Sequence, residues 1–317
     1  MNSYTLELEN DQLLNIVPLV TFLKNNEGSD IELIVNQESH CLTWNKVYDL
    51  LDQFKFSSVR IMSINALEQH DKYQISNNYW YHWFIQSLNF DHNFDYAWDG
   101  TKTFGCFYGR PTASRLGIVS HLHKHYPDKS LIKVRFDTKN QDERRRFEFQ
   151  KLYEWSADSL DSVVNFLSNI DQYTSEYHAY DYSTWQYDYS NHLNYLYKNI
   201  FVDLVVEAHL QGDSFYPTEK IVRAILCRKP FIVMAPVNYL AYLRQMGFRT
   251  FSELWSEEYD GVGSKTRYFS VIKLLDHLAG LPSVDLTNLN NKAKEIVEHN
   301  YQLSVSHTYK RTVKKIQ

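Results

Sequence analysis

The chain has 317 residues, room for two domains of ordinary size, and 44% of them are hydrophobic, enough to bury real cores. A formal net charge of −5 argues against a broad nucleic-acid surface, which would be basic, while leaving room for a local basic groove. Cys41, Cys106 and Cys227 are far apart, odd in number and set in apolar surroundings. They read as buried free thiols in a reducing compartment, with no zinc spacing built on Cys.

The N-terminal "MNSYTLELENDQLL" is acidic and has no basic start before an apolar core, so no signal peptide is expected. No run of ~18 apolar residues occurs, so no membrane span is expected and the chain is read as cytoplasmic. "SDIELIVNQ" and "FSSVRIMSI" predict buried strands, and "KVYDLLDQF" between them a helix, which makes a βαβ pattern. The aromatic "YWYHWFIQSLNF" follows. The turn-rich "DHNFDYAWDGTK" then marks a domain boundary near residue 100.

A second α/β unit opens with the strand "TFGCFYG" (103–109). Pro111 suits the first helical position before "TASRLGIVSHLHKHY", and "LIKVRFDT" (131–138) is the next strand. "QDERRRFEFQKLYEW" predicts a charged helix and "DSLDSVVNFLSNI" an amphipathic one. Residues 171–198 are rich in Tyr, Asp and Ser, too aromatic for ordinary disorder. They read as an irregular packed loop with a short helix at its end; an aromatic platform for stacked bases is the alternative. The strand "IFVDLVVEA" (200–208), a helix in "PTEKIVRAILCRK" and the strand "PFIVMAP" (230–236) continue the alternation. Ile221, Val222, Ile225 and Leu226 form that helix's apolar stripe. Three further helices, in "NYLAYLRQMGF", "TRYFSVIKLLDHLAG" and "LTNLNNKAKEIVEHNYQL", lead to a basic tail, "YKRTVKKIQ". The order predicts an α/β protein of two doubly wound domains facing a cleft. Its expected divisions are 1–100, 101–282, and a C-terminal helix and tail over 283–317.

Lys220 falls in the first turn of a helix, where the dipole disfavours a cation. Arg110 and Arg115, in "GRPTASR", flank the start of an earlier helix that also follows a strand. In α/β sheets such junctions lie at the carboxyl ends of strands, where ligands bind. Two readings stand. Either these cations and the helix N–H groups hold an anion such as a diphosphate, or they pair with carboxylates of the chain. On the first reading, Lys220 without ligand has no better partner than solvent or Glu207. Glu219 reads either as a helix-start acid or as an acceptor for two ribose hydroxyls. Glu207 is an unexpected carboxylate at the end of an apolar strand. His121 and His125 share a helix face with metal-compatible spacing, but no third ligand accompanies them or His123, and a solvated face is expected. Neither Gly-x-Gly-x-x-Gly nor Gly-Lys-Ser/Thr occurs, so dinucleotide and P-loop readings are weak.

The segment "PTEKIVRAILCRKPFI" resembles the Thr-Glu-Lys segment of α1,3-fucosyltransferases, in which a strand ending in Phe-Glu-Asn precedes Val-Thr-Glu-Lys. The corresponding strand end here is "VVEA", and Thr218, Glu219 and Lys220 supply the motif. The chain is still more similar to glycosyltransferase-like proteins of viruses, phages and bacteria. Those share a Gly-Arg-Pro…Arg segment, a Thr-Glu-Lys helix, Lys-Pro-Phe-Ile, Gly-Phe-x-Thr-Phe and a downstream Tyr-Asp. This sequence has "GRPTASR", "PTEK", "KPFI", "GFRTF" and "EEYD" in that order, spanning about residues 103–280.

The resemblance implies a GT-B fold of two Rossmann-like domains, with a nucleotide-sugar donor held mainly by the second. It implies that Lys220 with Arg110 or Arg115 neutralises the donor diphosphate, that Thr218 and Glu219 bind the donor, with Glu219 on the ribose, and that Glu207 lies near its sugar. Transfer without a bound metal or other cofactor is implied, and no Asp-x-Asp stands at a strand end to hold one. The general base is expected in the N-terminal half, where Asp91, His92 and Asp95 are candidates. The acceptor would be a glycan or another hydroxyl, a hydroxymethylated DNA base included, and the setting the host cytoplasm for a viral protein. Ala208 stands where the fucosyl enzymes have Asn, so fucose is not implied. A different class also fits: a non-catalytic nucleotide-sugar-binding or interaction protein that keeps "PTEK" and lacks a usable base.

Overall fold

A computed structural model describes the chain except residues 7, 10–11, 14, 36–40, 43–45, 78–90, 110, 135–141, 157–158, 175–179, 182–185, 188–194, 208–209, 213 and 307–317. The aromatic segment before residue 91, most of the tyrosine-rich stretch, Arg110, Ala208 and the basic tail therefore lie outside the described residues. The fold is α/β, with two four-stranded parallel sheets in two units. The described residues within 1–83 and 211–218 belong to the first unit, and those within 84–210 and 219–306 to the second.

The first unit runs β1 (Asn2–Thr5), α1 (Ile16–Asn25), β2 (Asp30–Val35), α2 (Val47–Leu51), β3 (Ser58–Ser63) and β4 (Gln74–Asn77). Asn15 starts α1 by accepting a hydrogen bond from the Val17 N–H at 2.9 Å. The strands lie in the order β1-β2-β3-β4. Each new strand is added on the same side, so right-handed crossovers place α1 and α2 on one face. The register lines up Tyr4, Leu33, Ile61 and Ile75 across the sheet. That row packs with Leu19 and Leu23 of α1 and Val47 and Leu51 of α2. The alternate row, Ser3, Glu32, Arg60 and Gln74, is more exposed. Among the described residues the strand order never reverses, so this sheet is singly wound there, unlike the doubly wound sheet expected from the sequence. Alternating strands and helices dictate parallel pairing, but not the side on which each strand is added.

Residues 211–218 are tied to this unit by Asn65, whose Oδ1 accepts from the N–H groups of Leu67 (3.1 Å) and Phe215 (3.0 Å).

The second unit runs β5 (Lys102–Tyr108), α3 (Ala113–His125), β6 (Ser130–Val134), α4 (Asp142–Trp155), α5 (Ser159–Ser168), β7 (Ile200–Val206), α6 (Glu219–Leu226), β8 (Phe231–Met234), α7 (Tyr239–Gln245), α8 (Ser264–Gly280) and α9 (Ser283–Val305). The strand order is β8-β7-β5-β6. It turns back at β5, so the β5–β6 and β7–β8 crossovers run in opposite directions and put α3 and α6 on opposite faces. Helices α5 and α8 pack on α3, and α9 packs on α6. All seven residues of β7 are buried, as a strand covered on both faces requires. Gly117 lets α3 and α8 meet closely: a Cβ there would lie 2.5 Å from the Tyr268 hydroxyl.

Two divisions differ from the sequence reading. The loop before β5 belongs with the second sheet, because Trp98 Nε1 donates to the Lys102 carbonyl (2.7 Å) and Asn199 Nδ2 to Asp99 (2.6 Å). Helix α9 is part of the same unit: Asn300 clasps the Arg249 backbone through its N–H and carbonyl, each at 2.8 Å. Cys41, Cys106 and Cys227 are free thiols, Cys106 and Cys227 buried and Cys41 partly so. Among the described residues no helix is long and apolar enough to cross a membrane.

Candidate functional site at the carboxyl ends of β5 and β7

Strand order reverses at β5, which puts the switch point of the sheet, the crevice position where open α/β sheets bind ligands, at the carboxyl ends of β5 and β7. Glu207 follows β7 directly and is 2% exposed. Its Oε1 accepts from the Tyr239 hydroxyl at 3.2 Å, and its Oε2 lies 3.4 Å from Lys220 Nζ. Lys220 Nζ also sits 2.8 Å from Glu219 Oε1. One ammonium thus bridges two carboxylates in the first turn of α6. Glu207 is the partner expected short of a ligand; Glu219, expected only as a helix-start acid or ribose acceptor, is the nearer one. Glu219 is favoured at a helix start by the dipole. Burial works to raise its pKa, but Lys220 and then Arg223 outweigh burial and hold the carboxyl below its usual range.

The earlier junction is furnished differently. Thr112 caps α3 by accepting from the Arg115 N–H (3.4 Å), and Glu148 of α4 accepts from the Ala113 N–H (2.7 Å). A carboxylate of the chain therefore occupies the position at which the sequence suggested a ligand anion. Arg115 is buried, donates from Nε (3.2 Å) and Nη2 (2.6 Å) to the Val206 carbonyl, and lies 5.7 Å from the Tyr108 ring centroid. It fixes the end of β7 immediately before Glu207. Helix α6 begins at Glu219 rather than at Pro217, and the buried Thr218 closes the 211–218 segment of the first unit.

Asp91, His92 and Asp95 are not brought to this crevice. They precede β5, at the amino edge of the second sheet, whereas Glu207 follows β7, about 20 Å along the strand direction. Asp91 and Asp95 accept from the N–H groups of Asn93 (3.0 Å) and Ala97 (2.9 Å), as Asx turns do. His92 meets the Tyr301 hydroxyl at 3.0 Å. His121 bonds Asp276 at 2.7 Å, His123 bonds the Tyr173 hydroxyl at 2.7 Å, and no group of residues suited to a metal ion occurs among the described residues.

Sequence reasoning missed the ionic layer beneath the crevice. Asp203, in the middle of β7, is 3% exposed and accepts from the Tyr197 hydroxyl at 2.7 Å. Burial pushes its pKa up to about 6, against the pull of Tyr197, Arg223 and Lys229. Asp203, Tyr197, Lys220 and Arg223 line a space of about 10 Å³, room for one water. Arg267 of α8 is 1% exposed and donates to the carbonyls of Tyr259 (3.0 Å), Val262 (2.5 Å) and Ala235. The signal was available: Asp203 in "FVDLVV" and Arg223 in "IVRAIL" are charges inside apolar runs.

The motif residues after β8 have structural work. Asp260 of "EEYD" accepts from the Leu240 (3.0 Å) and Ala241 (3.3 Å) N–H groups at the start of α7. Thr250 of "GFRTF" donates to Glu257 at 2.8 Å. Together they fold the 250–260 loop under the carboxyl edge.

No family model and no curated protein matches the chain. Among solved structures it is similar to the trehalose-6-phosphate phosphatase N-terminal domain of Candida albicans. Identity is 10%, the TM-score is 0.38, and the match covers 89% of this chain and 64% of that one. Likeness at that level carries no argument.

Proposed function

We propose that the protein is a glycosyltransferase of GT-B type that takes a sugar from a nucleoside-diphosphate donor to an acceptor hydroxyl. The observation that carries this reading is the Glu207–Lys220–Glu219 bridge at the point where strand order reverses. Two carboxylates and one ammonium suit a ligand that offers both hydroxyl groups and phosphate oxygens. Glu219 accepts from the ribose hydroxyls, Glu207 faces the donor sugar, and Lys220 turns to the diphosphate. Arg115 positions the strand end that carries Glu207.

In the transfer, the bond from the anomeric carbon to the diphosphate oxygen breaks and one to the acceptor oxygen forms. The acceptor proton passes to a base, and the diphosphate leaves with its added charge met by Lys220. On this reading Glu207 is the acid nearest the bond that breaks, while Asp91 and Asp95 lie at the other edge of their sheet. The acceptor is a glycan or another hydroxyl.

A panel of nucleotide sugars, incubated with the protein in the presence and absence of EDTA, tests the proposal. Slow donor hydrolysis that survives chelation is the expected result. Binding without turnover for every donor favours a nucleotide-sugar-binding protein, and no binding removes the proposal.

A further inference from the structure

A second concave site lies at the opposite, amino edge of the same sheet. It is a groove of about 510 Å³, within the range of small-molecule pockets. One wall is the loop that carries Phe94 and Trp98, the other is α9, and the turn between α6 and β8 supplies Arg228 and Lys229. Arg228 is neutralised by Glu298, with Nε at 2.8 Å, and its guanidinium sits 3.4 Å from the Tyr301 ring centroid.

Lys229 is different. It is 3% exposed, and among the described residues its Nζ has one hydrogen-bond partner, the Ile200 carbonyl at 2.9 Å, and no ion pair. An ammonium carries three donors, and burying one with donors unmatched is costly. Burial depresses its pKa to about 8, the mark of a charge poorly compensated by the protein. Lys294 of α9 adds a second cation on the opposite wall, exposed to solvent and unpaired among the described residues. Against these two cations the groove sets one further acid, Asp95.

We propose that this groove binds a small molecule with one anionic group and a flat apolar body. The anionic group lies between Lys229 and Lys294, and the body lies against Phe94 and Trp98. A carboxylate and a phosphate share the chemistry that would satisfy the two ammonium groups. The site is separate from the crevice of Glu207 and Lys220, since β7 runs its whole length between Ile200 and Val206.

Calorimetric titration with phenyl phosphate and with benzoate tests the proposal, with benzyl alcohol as the uncharged control. At least one anion binds the wild-type protein and benzyl alcohol does not; the tighter anion identifies the acid group. Lys294→Ala, on an exposed helix position, and Lys229→Met, which keeps the stem and removes the charge, each weaken anion binding about ten- to a hundredfold. If Lys229→Met fails to fold, Lys294→Ala decides alone. The proposal is overturned if neither anion binds at millimolar concentration, if benzyl alcohol binds as tightly as the anions, or if the folded variants bind as wild type.

Discussion

In the first sheet, helices cover one face, and Glu32 and Arg60 stand across from each other on the other, 3.8 Å apart and partly exposed. In the second sheet both faces are covered, and Asp203, Arg115 and Arg223 are buried in the strands and helices, with Lys229 buried in the turn between α6 and β8. The difference follows from strand order. Sequential addition leaves one face open, so charges there remain solvated. Reversal at β5 sends helices to both faces, so charges inside are cut off from water and depend on partners within the fold or on a ligand. The same reversal sets the switch point where the end of β7 meets the first turn of α6. Buried charges therefore gather around the second sheet, whereas in the first unit the described buried charge is Glu68, held off the sheet by the Tyr48 hydroxyl and the Leu42 N–H.

If that contrast is right, removing a buried charge of the second sheet costs far more than removing an exposed one of the first. The largest effect is expected for Arg267→Ala, which strands the carbonyls of Tyr259, Val262 and Ala235. A loss of about 3–5 kcal/mol in urea unfolding is expected; a loss below about 1 kcal/mol would show that water replaces the guanidinium.

Next comes Asp203, whose pKa rises from 3.8 to about 6 on folding. A raised carboxyl pKa contributes stability that is present below the unfolded value and lost as pH rises through the folded one. Between about pH 4 and 6 this contribution should fall by on the order of 3 kcal/mol. The wild type minus Asp203→Asn difference in stability should show that fall, and parallel pH profiles for the two proteins would contradict it.

Gly117→Ala should cost about 1–3 kcal/mol by overpacking α3 against the Tyr268 ring, with Cε2 only 2.7 Å from the new Cβ. The smallest effect is expected in the first sheet. Arg60→Ala should change stability by no more than about 1 kcal/mol, because an exposed pair at 3.8 Å is screened by water. A larger cost would erase the contrast between the sheets.

Much of the second unit was legible because its apolar runs are long and punctuated. "TFGCFYG" and "IFVDLVVEA" locate β5 and β7 to within a residue or two, and "PTEK" marks the start of α6. The pairing of Lys220 was half legible: Glu207 was named as a candidate partner, while Glu219 was read only for its dipole and ribose roles. Side-chain reach around a helix start decides which neighbouring acid an ammonium meets, and spacing alone does not give it. Strand order in the first sheet was illegible for a similar reason, since alternation is the same on either side of a growing sheet. Asp91 and Asp95 make Asx turns at the amino edge of the second sheet, and acids in a turn-rich loop look alike in sequence whether they serve such turns or catalysis.

The central claim is that Lys220 exchanges its carboxylate partners for a donor diphosphate, and a melting series on wild type and Lys220→Met tests it most directly. Without ligand the variant should melt earlier, since Glu207 and Glu219 lose their shared cation. With ligand, a nucleoside diphosphate should raise the wild-type melting temperature as the logarithm of its concentration. A monophosphate should raise it less, a nucleoside should act equally on both proteins, and the variant should lose most of its response to the diphosphate. A variant that responds to the diphosphate as fully as wild type would contradict the account and leave Lys220 as a structural bridge between two acids.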